Sequence, residues 1–194
     1  MPHEAPGEAL DADLIGASAR GDRVAFGQLV VRHRDAVYRF LLTLTRNEAS
    51  AEDALQETFM AAWRHAEGYR GSSQSARGWL LTIARHAIYR QHRKHVGEPD
   101  KLDSLSELGV AAGWGEDPSP NVAARLEDRD LLQKGLARLV PTDQEVLLLV
   151  DAQELDYEEA ARVLELSLPA LKSRLHRARL RMMAALREEV AHGG

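Results

Sequence analysis

Charge is segregated sharply along residues 151–187, and no other feature constrains the chain as tightly. Asp151 to Glu165 holds six acids and one Arg, while Leu166 to Arg187 holds six basic residues and no acid. Both halves carry apolar residues at helical spacing: Tyr157, Ala161 and Leu164 in the first, and Leu171, Leu175, Ala178 and Met182 in the second. Repeats of three and four place such residues on one helix face. Leu166 to Leu168 reads as a tight turn, with Ser167 able to cap the second helix and Pro169 tolerated in its first turn. The pattern is a helix-turn-helix whose second helix is basic.

At 100° per residue, the face opposite Leu171 and Leu175 carries Ser173, His176 and Arg177, with Lys172 and Arg174 at its flanks. Short polar side chains and Arg near a helix start suit base edges in a major groove. Arg179, Arg181 and Arg187 follow later and suit phosphates. The competing reading is a solvated cationic face. The preceding helix and turn favour DNA.

A second basic stretch, Arg85 to His95 (RHAIYRQHRKH), aligns Arg85, Tyr89 and Arg93 on one face with Arg90 and Lys94 beside it. Cations interleaved with an aromatic suit unstacked bases. The alternative is a cationic helix end facing the dipole, but Arg85 lies too early for that. His86, His92 and His95 lack the carboxylate or Cys that would complete a metal site. Glu52, Asp53, Gln56 and Glu57 offer either a polar face to a partner or acids in a first helical turn, and spacing alone favours the second.

The chain reads as all-α: Ala, Leu, Glu and Arg abound, and β-branched runs are scarce. The expected layout is a disordered tail (1–12), a helical domain (13–96), a flexible linker (97–121) and a second helical domain (122–194). In the first domain, Leu14, Phe26, Leu29 and Val30, then Tyr38, Leu41, Leu42 and Leu44, form buried stripes. Ser50 is the expected cap of the helix through Leu55, Phe59, Ala62 and Trp63. Gly68 to Ser75 is a loop, followed by a helix with Trp79, Ile83 and Ala87 on one face. The linker is Gly- and Pro-rich and mostly acidic, with a short helix expected near Leu102 to Leu108 and Trp114 as a docking candidate. Thr142 to Glu145 has capping-box form, and Asp156 with Glu159 repeats that logic.

The chain has no cysteine, which excludes disulfides and Cys-based chemistry and agrees with a reducing cytoplasm. Residues 1–13 do not resemble a signal peptide, and no apolar run suits a membrane span. The net charge of −5 makes free DNA binding weak, so any DNA role needs local basic patches or a partner. No nucleophilic triad, paired carboxylates or phosphate loop indicates an enzyme, and no cofactor is implied.

Three stretches resemble a known family. AEDALQETFMAAW (51–63) is similar to region 2.2 of sigma-70-family factors, SARGWLLTIARHAIYRQHRK (75–94) to regions 2.3 and 2.4, and LARLVPTDQEVLLLVDAQELDYEEAARVLELSLPALKSRLHRARLRM (136–182) to region 4. The size and two-domain layout resemble the extracytoplasmic-function group. The resemblance implies that Glu52, Asp53, Gln56 and Glu57, with Phe59 behind them, meet the β′ clamp helices of core RNA polymerase, with the β subunit as a further contact. It implies promoter −10 recognition and melting by Tyr69, Arg70, Arg77, Trp79, Arg85, Tyr89, Arg90 and Arg93. It implies −35 reading by Lys172, Ser173, Arg174, His176 and Arg177, with Arg179 and Arg181 on phosphates. It also implies an anti-sigma partner, and a linker whose acids mimic RNA in the polymerase exit path. The chain departs from the family at Pro169-Ala170-Leu171, where Gly-Thr-Val is common, so a Thr hydroxyl near the DNA is lost. The rival readings are an autonomous helix-turn-helix regulator and a helical adaptor that does not initiate transcription.

Overall fold

Both ends of the second helix and the start of the third fall at residues suited to the task. A computed structural model describes residues 6–71, 75–96 and 131–192, with side chains over 11–71, 75–91 and 131–191. Among these residues the secondary structure is helical, with no strand. Helix α1 (Pro6–Ala19) ends at a turn where Gly21 has φ +92°, a conformation open to glycine. Asp22 then caps α2 (Arg23–Thr45), its carboxylate accepting from the Val24 and Ala25 N–H groups at 2.9 and 3.1 Å. Arg46, in the left-handed region at φ 51°, ends α2 by donating its N–H to the Leu42 carbonyl at 2.8 Å.

Asn47, not Ser50, caps α3 (Glu48–His65): its side chain accepts from the Ser50 N–H at 2.8 Å. The expected Ser50 cap is therefore corrected by three residues. Asn is among the strongest N-caps, and its extended backbone after left-handed Arg46 starts the helix early enough to place Glu48 in the first turn. A 3₁₀ turn (Ala66–Gly68) follows, and α4 (Ala76–Val96) completes the unit.

Helices α2, α3 and α4 pack pairwise, and α1 lies mainly against α2. The core is built by Val37, Phe40 and Leu41 of α2, Ala51, Ala54, Thr58 and Ala62 of α3, and Leu80, Leu81, Ala84, Ala87 and Ile88 of α4. Small residues along α3 let its neighbours approach closely, and tight packing of this kind stabilises a domain of limited size. Of the face expected on α4, Ala87 is buried while Trp79 and Ile83 are half-buried, and the buried stripe is centred on Leu80, Ala84 and Ala87. The tail boundary also moves. Residues 6–12 are helical, and buried Asp11 accepts from Arg32 Nη1 at 2.9 Å and meets His33 Nε2 at 2.7 Å.

The second unit begins, among the described residues, with helix α5 (131–137). Pro141 sits at N1 of α6 (Pro141–Leu147), with Val140 extended before it, as the residue preceding a proline prefers. Thr142 therefore lies inside the helix, and the expected capping box does not form. Glu145 is buried, and Gln144 donates to the Leu136 and Leu139 carbonyls at 2.8 and 2.9 Å. A π-helical turn (Leu148–Ala152) continues α6. The helix-turn-helix follows as α7 (Tyr157–Val163) and α8 (Leu168–His192). No helix among the described residues is long and apolar enough to cross a membrane. The expected linker, Trp114 and the helix near 102–108 lie outside the described residues.

Candidate nucleic-acid and partner interfaces

The acidic face of α3 follows from the burial of its small-residue stripe. With Ala51, Ala54, Thr58 and Ala62 inward, Glu52, Asp53 and Gln56 are exposed, while Glu57 is half-buried. Phe59 is only 8 % exposed and meets the Phe26 ring edge-on, with centroids 6.4 Å apart. It supports this face from behind and does not offer a surface contact. Burial, followed by repulsion from Glu48 and Glu52, pushes the nearby Tyr38 phenol above its ordinary pKa.

The basic-aromatic region of α4 and its preceding loop rests on a small apolar cluster. Ile15, Leu29, Ala66 and Ala76 form its buried centre, with Phe26, Tyr69 and Trp79 packed against it. The Tyr69 and Trp79 rings lie 5.2 Å apart, so two of the expected −10 residues are in contact. A Cβ at Gly71 would stand 3.2 Å from the Tyr69 ring, a close approach that favours glycine there. Arg70 is exposed and donates to the Glu67 carbonyl at 3.0 Å, and Arg77 is exposed at the start of α4. Residues 72–74 and the Arg93 side chain lie outside the described residues.

Arg85 differs from expectation. Its residue is 7 % exposed, its guanidinium lies 4.6 Å above the Tyr89 ring, and Nη2 donates to the Tyr89 hydroxyl at 3.0 Å. The periodicity that put Arg85 beside Tyr89 is right, but the pair is formed inward. In this arrangement the Arg85 guanidinium packs on Tyr89 and is not displayed on the surface. Arg90 Nε donates to Glu57 at 2.9 Å, joining a residue expected at the polymerase to one expected at DNA.

Helix α8 turns its polar and basic face outward as the spacing predicts. Asp156 caps α7 by accepting from the Glu159 N–H at 2.7 Å. Glu165, at φ 56°, closes α7: its own N–H reaches the Arg162 carbonyl at 3.1 Å, and the Leu166 N–H reaches Ala161 at 2.9 Å. The turn spans 164–167, slightly earlier than expected. Leu171, Leu175 and Ala178 are buried, and this turns Lys172, Ser173, His176 and Arg177 outward, with Arg174 half-exposed. Tyr157 is 37 % exposed and stands outside the expected apolar stripe, its ring 5.9 Å from Lys172 Nζ. Arg177 Nη1 donates to Ser173 Oγ at 2.8 Å, so two expected base readers are bonded to each other.

Arg179 and Arg181 are held within the unit. Arg179 makes a two-pronged pair with Asp151, and Arg181 Nη1 meets Asp143 at 2.5 Å. The hydrogen bond it donates to Asp151 is the first cause that pushes the Arg179 guanidinium above its already high pKa. Asp143 and Asp151 escaped the sequence reading. The only sign of Asp151 was the acid-rich stretch before the basic helix, and Asp143 lay within the expected capping box.

Two family models match this chain: Sigma-70 region 2 over residues 29–97, and Sigma-70, region 4 over residues 129–182. The ECF RNA polymerase sigma factor SigM of Bacillus subtilis is 37 % identical over 152 residues, covering 76 % of this chain and 86 % of the relative. The RNA polymerase sigma factor CnrH of Cupriavidus metallidurans is 33 % identical, covering 92 % and 95 %. Among solved structures, CnrH in complex with the cytosolic domain of CnrY aligns with a TM-score of 0.68 at 28 % identity, covering 93 % of this chain and 99 % of that one. Sigma factor RpoE in complex with the anti-sigma factor NepR from Bartonella quintana aligns at 0.66, also at 28 % identity, covering 84 % and 96 %. The chain belongs to the sigma-70 family, among its extracytoplasmic-function RNA polymerase sigma factors.

Proposed function

We propose that this sigma factor divides initiation between its two helical units. The exposed Glu52, Asp53 and Gln56 of α3 dock on the clamp helices of β′, with Phe59 as their packed support. Tyr69, Arg70, Arg77, Trp79, Tyr89 and Arg90 engage the −10 element and capture bases as it opens. Lys172, Ser173, Arg174, His176 and Arg177 read the −35 element. The chain works in the cytoplasm and is held inactive by an anti-sigma factor, a reading supported by analogy with the aligned complex of RpoE and the anti-sigma factor NepR.

The observation that carries this reading is the outward set on α8. Four polar or cationic side chains share one exposed face near the start of a helix whose opposite face is buried. That is the geometry by which a recognition helix enters a major groove. The work is done by binding energy: core polymerase supplies the active site, and capture of unstacked bases offsets the few kcal/mol lost on unstacking.

The test is −35 base preference in holoenzyme. Arg177→Ala should cost about 1–3 kcal/mol at one −35 position and leave −10 preference intact. Unchanged −35 preference removes Arg177 from the reading set. Gln56→Ala with Asp53→Ala should weaken core binding; full retention of core affinity contradicts the α3 assignment.

A further inference from the structure

Arg179 is the residue whose surroundings least fit the role its charge suggests. Its Nε and Nη2 meet the two oxygens of Asp151 at 3.1 and 2.5 Å, and Tyr157 lies close enough to add to the electrostatic stabilisation of its cation. Asp151 belongs to the π-helical turn, where the Gln153 N–H reaches back to the Leu148 carbonyl at 2.8 Å. Tyr157 is the first residue of α7, and its ring lies beneath Lys172 on the reading face. Arg179 thus ties α8 to the π turn, while Tyr157 brings the start of α7 to Lys172. Arg181, bonded to buried Asp143 of α6, fixes α8 at a second point about half a turn further on.

We propose that Asp151 and Arg179 are positioning residues for −35 recognition: their forked pair sets how α8 presents Lys172, Ser173 and Arg177, and Arg179 does not serve as a phosphate contact. The proposal rests on the reading that this face of α8 enters the major groove. Three arguments support it. The fork geometry suits carboxylate binding by Arg and would have to be broken to bring a phosphate to the same nitrogens. Both partners are substantially exposed, at 47 and 40 % of their side chains, and pairs of that kind add little to stability, so a stabilising role does not account for the arrangement. The π turn that carries Asp151 ends α6, so the fork ties that helix end directly to α8.

The two roles predict opposite signs for one substitution. Holoenzyme is assembled from core polymerase and the full chain. Binding is followed over a salt series on a promoter fragment from which the wild-type chain directs a discrete transcript, and on the same fragment with its −35 element scrambled. As positioning residues, Asp151→Ala, Asp151→Asn and Arg179→Lys each weaken −35-dependent binding about two- to ten-fold, because neighbours in one network couple at that level. Asp151→Glu restores most of it, the double alanine variant is no worse than the worse single one, and the salt slope stays constant. As a phosphate contact, Arg179 would be released by Asp151→Ala and binding would tighten. Arg179→Lys would then be near wild type, and Arg179→Ala would lower the salt slope by about one. Those results overturn the proposal. So does a loss equal on intact and scrambled fragments, which signals general destabilisation. Arg177→Ala is measured in parallel. If it leaves −35 dependence untouched, the groove reading fails and the proposal falls with it; if Arg177→Ala weakens binding while Asp151→Ala does not, the proposal alone is wrong.

Discussion

Single residues at helix ends separate what spacing can predict from what backbone geometry decides. Both Ser50 and Asn47 are good caps, and an acid three residues on made Ser50 the natural choice in the sequence. What decides between them is left-handed Arg46, which ends α2 and puts Asn47 in the extended conformation a cap needs. Asn47→Ala should lower stability by about 1 kcal/mol, and Ser50→Ala should change it by less than about 0.5 kcal/mol, as seen in thermal or urea melts. Glu165 is the converse case. It closes α7 at φ 56°, where a glycine would carry no Cβ strain. Glu165→Gly should raise the stability of the second unit by about 1 kcal/mol, and a lower melting temperature would contradict that account. Buried Arg85 teaches a related lesson. Its neighbour on the face was legible from i, i+4 spacing, but whether the pair turned inward depended on which side of α4 met α2 and α3.

At the scale of elements, the recognition helix was the most legible part and the joints around it the least. Segregated charge and a three-four apolar repeat were enough to orient Ser173, His176 and Arg177 outward, because burial of Leu171, Leu175 and Ala178 fixes the opposite face. Pairings across elements are long-range in sequence, and no local pattern encodes them. Arg179 with Asp151, Arg181 with Asp143 and Arg90 with Glu57 belong to this class. The close fit of α5 on α8 is another. A Cβ at Gly135 would lie 2.9 Å from Leu186 Cδ2 and 3.1 Å from Met182 Cε. Gly135→Val should therefore destabilise the second unit by about 1–3 kcal/mol through overpacking, read as a fall in urea midpoint at unchanged m-value.

For the whole molecule, the arrangement of charge matters more than its sum. A chain with a net charge of −5 has little general attraction for DNA, yet its cations are gathered on α4 and α8 while acids are displayed on α3. On the proposed reading, promoter affinity should therefore be far higher in holoenzyme than for the chain alone. The family resemblance was legible because each of its motifs is a continuous local run of sequence. The course of the chain between the two units was not legible, because Gly, Pro and acids fix composition without fixing contacts.

Run-off transcription with purified core polymerase, with and without the full chain, on a fragment bearing the DNA upstream of its own gene, tests the central claim most directly. Discrete transcripts that require the chain, and whose start sites share −10 and −35 elements, are the predicted result. A symmetric footprint made by the chain without polymerase, with no chain-dependent transcript, would contradict it and favour an autonomous helix-turn-helix regulator.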